Sequence, residues 1–224
     1  MNSAVRKLGL LALGETPRDD VTPTLRSILG KSIRIAESGG LDGLSESGLM
    51  ELMSQDGETS LETRLRSGAV IALSKEAILP RLIAAAEKLS EECDSVLLLC
   101  SGEFPDLAAT CPKLIQPIHI LRGAISAIAR HRILGLIGPA SDLDAAPSQW
   151  APYAPRVICA AASPYESIEV AVSAGRELVH RGAQLIFLDD MGFNEQHRTA
   201  IACAIKLPVM CATTLTARVL CEMM

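Results

Sequence analysis

Two short stretches of this sequence combine residue types suited to proton transfer with positions where an enzyme would hold them. The first is Val96-Leu97-Leu98-Leu99-Cys100-Ser101-Gly102-Glu103-Phe104-Pro105, an aliphatic run that stops at a thiol and a Ser-Gly turn. The second is Leu185-Ile186-Phe187-Leu188-Asp189-Asp190-Met191-Gly192-Phe193, an aliphatic run that stops at two carboxyls. Short apolar runs bounded by turns read as strands buried on both faces. In open α/β sheets the ligand crevice lies beyond the carboxyl ends of such strands. The expectation is therefore that the two strand ends face one active site. Ser101 and Gly102 would supply backbone N–H groups, and with a following helix dipole they favour a thiolate at Cys100. The structural alternative is a buried thiol that packs as a small hydrophobe. Asp189 and Asp190 could instead cap the following helix. Alternation along a strand argues that the two do not point the same way.

The elements that must position these residues follow from periodicity and turn chemistry. Strands are expected at 8–13, 31–36, 95–99, 133–138, 156–159, 184–188 and 208–210. A β-hairpin is expected over 57–74 around Ser67-Gly68. Helices are expected from Asp19 or Asp20, as cap, to Leu29, and from Ser45 to Met53. Further helices fall over 75–89, 118–129, 166–180, 194–205 and 213–222, leaving Pro139–Pro155 as loop. Strands alternating with helices imply α/β layers with mainly parallel sheets and right-handed crossovers. The pattern repeats, which favours two similar lobes: 1–117 with a returning 208–224, and 118–207.

Composition narrows the partners. The 224 residues are 49% hydrophobic and carry a net charge of −5 with both signs interspersed, so no basic surface invites nucleic acid. No apolar run approaches the roughly 18 residues of a membrane span. The start of the sequence does not read as a secretory leader. The seven cysteines are odd in number and show no CxxC spacing, which suits thiols in a reducing cytoplasm. His119, His131 and His180 lack metal-ligand spacing, and no metal site is expected. Arg18, on the first strand-to-helix loop beside Gly14 and Thr16, and Arg64 could fork a substrate carboxylate; the alternative for each is a surface ion pair. Arg66 is expected on the other side of the same strand as Arg64. Ser163 and Tyr165 could add hydroxyls, and His197 is either a proton shuttle or a solvated helix residue.

Six motifs in order carry a family resemblance. They are Gly14-Glu15-Thr16-Pro17-Arg18-Asp19-Asp20, Gly39-Gly40-Leu41-Asp42-Gly43-Leu44, Thr63-Arg64-Leu65-Arg66-Ser67-Gly68, Cys100-Ser101-Gly102-Glu103-Phe104-Pro105, Ser163-Pro164-Tyr165 and Leu188-Asp189-Asp190-Met191-Gly192-Phe193. Over nearly the full length the sequence resembles the AroM family, itself similar to the aspartate/glutamate/hydantoin racemase superfamily. The resemblance implies two Rossmann-like lobes related by a pseudo-twofold axis, with the active site in the cleft between them and no cofactor, neither metal nor pyridoxal phosphate. It also implies a pair of cysteines, one per lobe, that exchange a proton at the substrate α-carbon. Cys100 matches the first. Where relatives read Leu-Asp-Cys-Met-Gly-Tyr, this sequence has Asp190 in place of the second cysteine, with Met191 and Gly192 beside it as substrate-binding positions.

The function so implied is a cofactor-independent racemase or epimerase acting on a small carboxylate such as an amino acid or a hydantoin-like derivative. A decarboxylase or lyase on the same scaffold, and a non-catalytic small-molecule binder, are the alternatives. A homodimer is left open.

Overall fold

The computed structural model describes residues 6–55 and 57–224; the first five residues, over which no leader is expected, lie outside this range. The chain divides at 117/118 into two compact units, with residues 23–28 going to the second and Met224 to the first.

In the first unit the aliphatic runs become β1 (Arg6–Ala12), β2 (Ile33–Gly39), β5 (Ser95–Leu98) and the two-residue β6 (Leu114–Ile115). They form one sheet in the order β2-β1-β5-β6, every pair parallel. The expected hairpin is present as β3 (Ser60–Arg64) and β4 (Val70–Ser74), antiparallel with Leu61 opposite Leu73. Helices α2 (Glu46–Met50), α3 (Lys75–Glu92) and α4 (Pro105–Thr110) join the later strands, while α1 (Thr22–Leu29), which links β1 to β2 along the chain, groups over residues 23–28 with the second unit. Ser45 and Ser74 cap α2 and α3, each side chain accepting a backbone N–H three residues on. Helix α3 buries Ile78, Leu82, Ala85, Ala86 and Leu89 against the sheet, the face its 3.6-residue period dictates. Gly9, in the middle of β1, permits that approach: a Cβ there would lie 3.1 Å from Leu89 Cβ.

The second unit repeats the plan. Its strands are β7 (Ile133–Gly138), β8 (Arg156–Ala161), β9 (Leu185–Leu188) and β10 (Val209–Cys211). They are again all parallel, in the order β8-β7-β9-β10. The helices are α5 (Pro117–Ile128), α6 (Ala146–Trp150), α7 (Ile168–His180), α8 (Glu195–Ile205) and α9 (Ala212–Met223). The fold class is therefore α/β, two lobes built on mainly parallel sheets. In both units the central pair, β1-β5 or β7-β9, is flanked by neighbours on each side and buried on both faces, so their sequences run apolar without alternation.

Three expectations are corrected. The segment 208–224 does not return to the first lobe: β10 pairs with β9, Met210 opposite Phe187, and α9 follows it within the second unit. Residues 139–155 are not all loop, since a 3₁₀ turn over Ala140–Asp142 and helix α6 bring Trp150 to full burial. Finally, Asp20 sends its carboxylate to Arg18 instead of capping α1, whose start is set by Val21 and Thr22 N–H groups donating to Arg18 O.

Candidate active site

The strand end after β5 is built around sulfur. Cys100 lies two residues beyond the strand, half-buried, and its Sγ accepts the Gly102 N–H at 3.2 Å. Gly102 leaves room for this turn, as a Cβ would sit 3.3 Å from that sulfur. Ser101 is half-buried beside them. The loop is pinned further along. Gln116, which follows β6, accepts the Phe104 N–H at 2.7 Å, and Lys75 donates to Glu103 O at 2.8 Å. Lys75 Nζ also stands 4.9 Å from the centre of the buried Phe104 ring, a cation–π contact that holds the same loop.

The strand end after β9 repeats the turn with a carboxylate. Asp190 lies two residues beyond the strand, and its Oδ1 accepts the Gly192 N–H at 2.5 Å. Gly192 cannot easily be replaced: a Cβ would meet Pro164 Cγ at 2.8 Å and Asp190 Oδ1 at 2.9 Å. This packing joins the Asp190 loop to Ser163-Pro164-Tyr165 at the end of β8. There Ser163 Oγ accepts the Tyr165 N–H at 3.4 Å, and the Ser163 N–H donates to Glu166 at 2.7 Å. Met191 is buried, and its carbonyl accepts the Thr213 hydroxyl at 2.6 Å. Asp189 points elsewhere, as alternation requires: its Oδ2 accepts the Trp150 indole N–H at 2.7 Å. Burial foremost, with the charges of Asp190 and Asp142 added, pushes its pKa up to about 7 against the Trp150 hydrogen bond and Arg122.

The loop after β1 gives its residues mainly local work. Thr16 is fixed by Asp42, whose carboxylate accepts its N–H at 2.8 Å and its hydroxyl at 2.6 Å and also takes the Gly39 N–H at 2.8 Å. Gly14 is buried, and a Cβ there would collide with Thr63 Oγ1 at 2.6 Å. Arg18 is 5% exposed and forks onto Asp20 with bonds of 2.8 and 2.7 Å. Burial alone would raise the Asp20 carboxyl, but the Arg18 hydrogen bonds and charge hold it below the usual range. Arg64 is exposed and shares with Arg18 the lining of a cavity of about 240 Å³. Arg66 lies beyond the end of β3 and clamps the β1 loop: its N–H donates to Glu15 at 2.6 Å and its guanidinium to Thr16 O.

Sequence reasoning missed the supports: Asp42, Gln116, Thr213 and the Trp150–Asp189 pair. Asp42 sits in a Gly-rich motif, but Thr16, the residue it fixes in the β1 loop, lies 26 residues away and leaves no periodic trace. His197 is not solvated. It is 6% exposed, pairs with Asn194 in a capping box at the start of α8 and meets the Phe193 ring edge-on at 5.3 Å. Burial lowers its pKa, the mark of a histidine kept neutral.

All seven cysteines are thiols outside any disulfide: Cys93, Cys111 and Cys211 are buried, Cys100 and Cys159 half-buried, Cys203 and Cys221 exposed. Among the described residues no group of three or more His, Cys, Asp or Glu is arranged to hold a metal ion, and no helix is long and apolar enough to cross a membrane.

The family model described as AroM protein matches residues 8–224. Among solved structures, the fold is similar to allantoin racemase from Klebsiella pneumoniae, with 14% identity and a TM-score of 0.59, covering 97% of this chain and 86% of that one. It is also similar to aspartate racemase from Picrophilus torridus, with 10% identity and a TM-score of 0.57, covering 97% and 94%. An arylmalonate decarboxylase matches with 11% identity and a TM-score of 0.63, covering 96% and 92%. No curated protein matches the sequence. At these identities the likeness to solved structures is one of fold.

Proposed function

Since the chain belongs to the AroM family, we propose that it is a cofactor-independent racemase or epimerase acting at the α-carbon of a small carboxylate such as an amino acid or hydantoin-like derivative. One observation carries this reading. Cys100 and Asp190 occupy the same position in two units of the same strand order, each two residues past the strand beside the central one, each accepting the N–H of a glycine two residues on. Cys100, as thiolate, takes the α-proton, and Asp190, protonated for the step, returns one to the other face; the reverse direction exchanges the roles. Backbone N–H groups of the two strand-end loops stabilise the carbanion as its charge develops. Arg64, exposed at the cavity beside Arg18, holds the substrate carboxylate, while Arg18 shapes that cavity through Asp20. Ser163 and Tyr165 offer hydroxyls next to the Asp190 loop.

Incubation in heavy water with a panel of small carboxylates and hydantoins tests the reading. The expected result is deuterium at the α-carbon of at least one compound, lost in Cys100→Ala. A panel in which nothing exchanges sinks the reading, and a Cys100→Ala protein exchanging at the wild-type rate sinks the named thiol.

The unlike pair favours a second reading. A thiol and a carboxylate differ in proton affinity, which suits one-way chemistry such as decarboxylation, where a single donor protonates the carbanion. Release of carbon dioxide from a malonate-type acid without interconversion of enantiomers would select it.

A further inference from the structure

Asp189 takes no part in the proton transfer just described, yet its surroundings are highly constrained. Its own N–H is locked into the sheet, donating to Ile137 O at 2.8 Å. Its Oδ2 accepts from Trp150, itself fully buried against Phe187 with ring centroids 5.2 Å apart. Its Oδ1 is buried and has no hydrogen-bond partner. A carboxylate would leave that oxygen's share of the negative charge desolvated and uncompensated, whereas the acid is neutral and loses far less. The ionisable groups acting on it come from each neighbouring element. They are Asp190 on its own loop, Asp142 on the 3₁₀ turn, Cys159 on β8 and Arg122 on α5, so one guanidinium stands against two carboxylates.

We propose that Asp189 is a positioning residue: it stands as the neutral acid, one oxygen on the Trp150 indole and the other buried without a partner, so that it adds no second charge beside Asp190. The inference rests on the reading of Asp190 as a proton-transfer group. Below about pH 7 Asp189 keeps its proton throughout turnover. Were it ionised, a second negative charge one residue from Asp190 would oppose a carbanion forming there. Two adjacent carboxyls are thus given separate tasks by unequal environments, one packed under an indole and one turned to a glycine N–H.

The chain's single tryptophan is both anchor and reporter. Titration of the intrinsic tryptophan fluorescence of the full chain is expected to show a transition with a midpoint of about 7, which Asp189→Asn abolishes. The alkaline fall in α-proton exchange centred at the same pH is expected to vanish in that variant as well. A wild-type protein without the fluorescence transition, or an Asp189→Asn protein that retains it, overturns the proposal. Should Asp189→Asn fail to fold, Trp150→Phe serves instead. Loss of the indole donor, which favours the charged form, moves the pH at which folding stability is lost upward, and an unmoved or lowered pH overturns the proposal. The fluorescence result stands whether or not a substrate is found, so failure of the positioning role and failure of the proposed reaction are read separately.

Discussion

The strand ends of the two units share a turn and differ in what lies beneath it. After β5, a thiol accepts a glycine N–H, and the loop is held by neutral and cationic donors: the Phe104 amide on Gln116, and Lys75 on Glu103 O and the Phe104 ring. After β9, a carboxylate accepts the matching glycine N–H, and the loop is held by Thr213 on Met191 O. Only the second end carries a further carboxyl next door, buried on a tryptophan. The lesson is that the same turn can present either a thiol or a carboxylate. The carboxylate version, however, sets a second carboxyl beside the first, and burial, against the pull of the indole, raises that neighbour's pKa to about 7. Packing differs too. The glycine of the first end has a little room around it, and that of the second has none.

Breaking either end chemically should have the largest effect. Cys100→Ala and Asp190→Ala are each expected to lower α-proton exchange by about 10²–10⁴-fold, the usual worth of a general acid or base. Asp190→Cys, which makes the ends alike, is expected to exceed Asp190→Ala by at least about tenfold on the same scale. Equal rates in the two variants would mean that the ends are not functional counterparts.

The charge difference should appear in stability against pH. Asp189 has a folded pKa of about 7, well above that of an unfolded aspartate, so its contribution is fully present below about pH 4 and is lost as pH rises to about 7. The loss amounts to at most about 4 kcal/mol. His197, lowered by burial, acts in the opposite direction by losing stability as pH falls below its ordinary range. The difference between wild type and Asp189→Asn in denaturant titrations isolates the first contribution, and a flat difference across that window would remove it.

The packing difference predicts that Gly192→Ala costs about 1–3 kcal/mol, because Pro164 and Asp190 must both shift. Gly102→Ala should cost less than about 1 kcal/mol, since its nearest neighbour stands at 3.3 Å. Thermal melts of the pair rank them directly. A similarly small effect is expected from Thr213→Val, about 1 kcal/mol for one lost hydrogen bond to Met191 O. Chemical denaturation of that variant should show an unchanged slope and a lowered midpoint.

Much of this was legible in the chain. Aliphatic runs ending at Leu98 and Leu188 announced parallel strands, and Ser67-Gly68 announced the hairpin, because burial and turn chemistry are local. The separate aims of Asp189 and Asp190 followed from strand alternation. What escaped was either short or long-range. Helix α6 has five residues in a proline-rich stretch, and α4 has six, too few for a period to show. The placement of β10 depends on which strand edge remains open, Val209 finding Ile186, and no property of 208–224 encodes that choice. The place of Arg18 on the first strand-to-helix loop suggests a carboxylate clamp, and the carboxylate it forks in the structure is Asp20, two residues away.

The uneven exposure of the thiols bears on how the protein should be handled at the bench. Alkylating or oxidising reagents will meet Cys203 and Cys221 at the surface before they reach the half-buried Cys100. An inactivation curve taken on the wild-type chain would therefore mix bystander labelling with any loss at the strand end. A background carrying Cys203→Ser and Cys221→Ser turns the same reagent into a counter for Cys100 and Cys159. Protection by a candidate substrate in that background then tests the proposed role of Cys100.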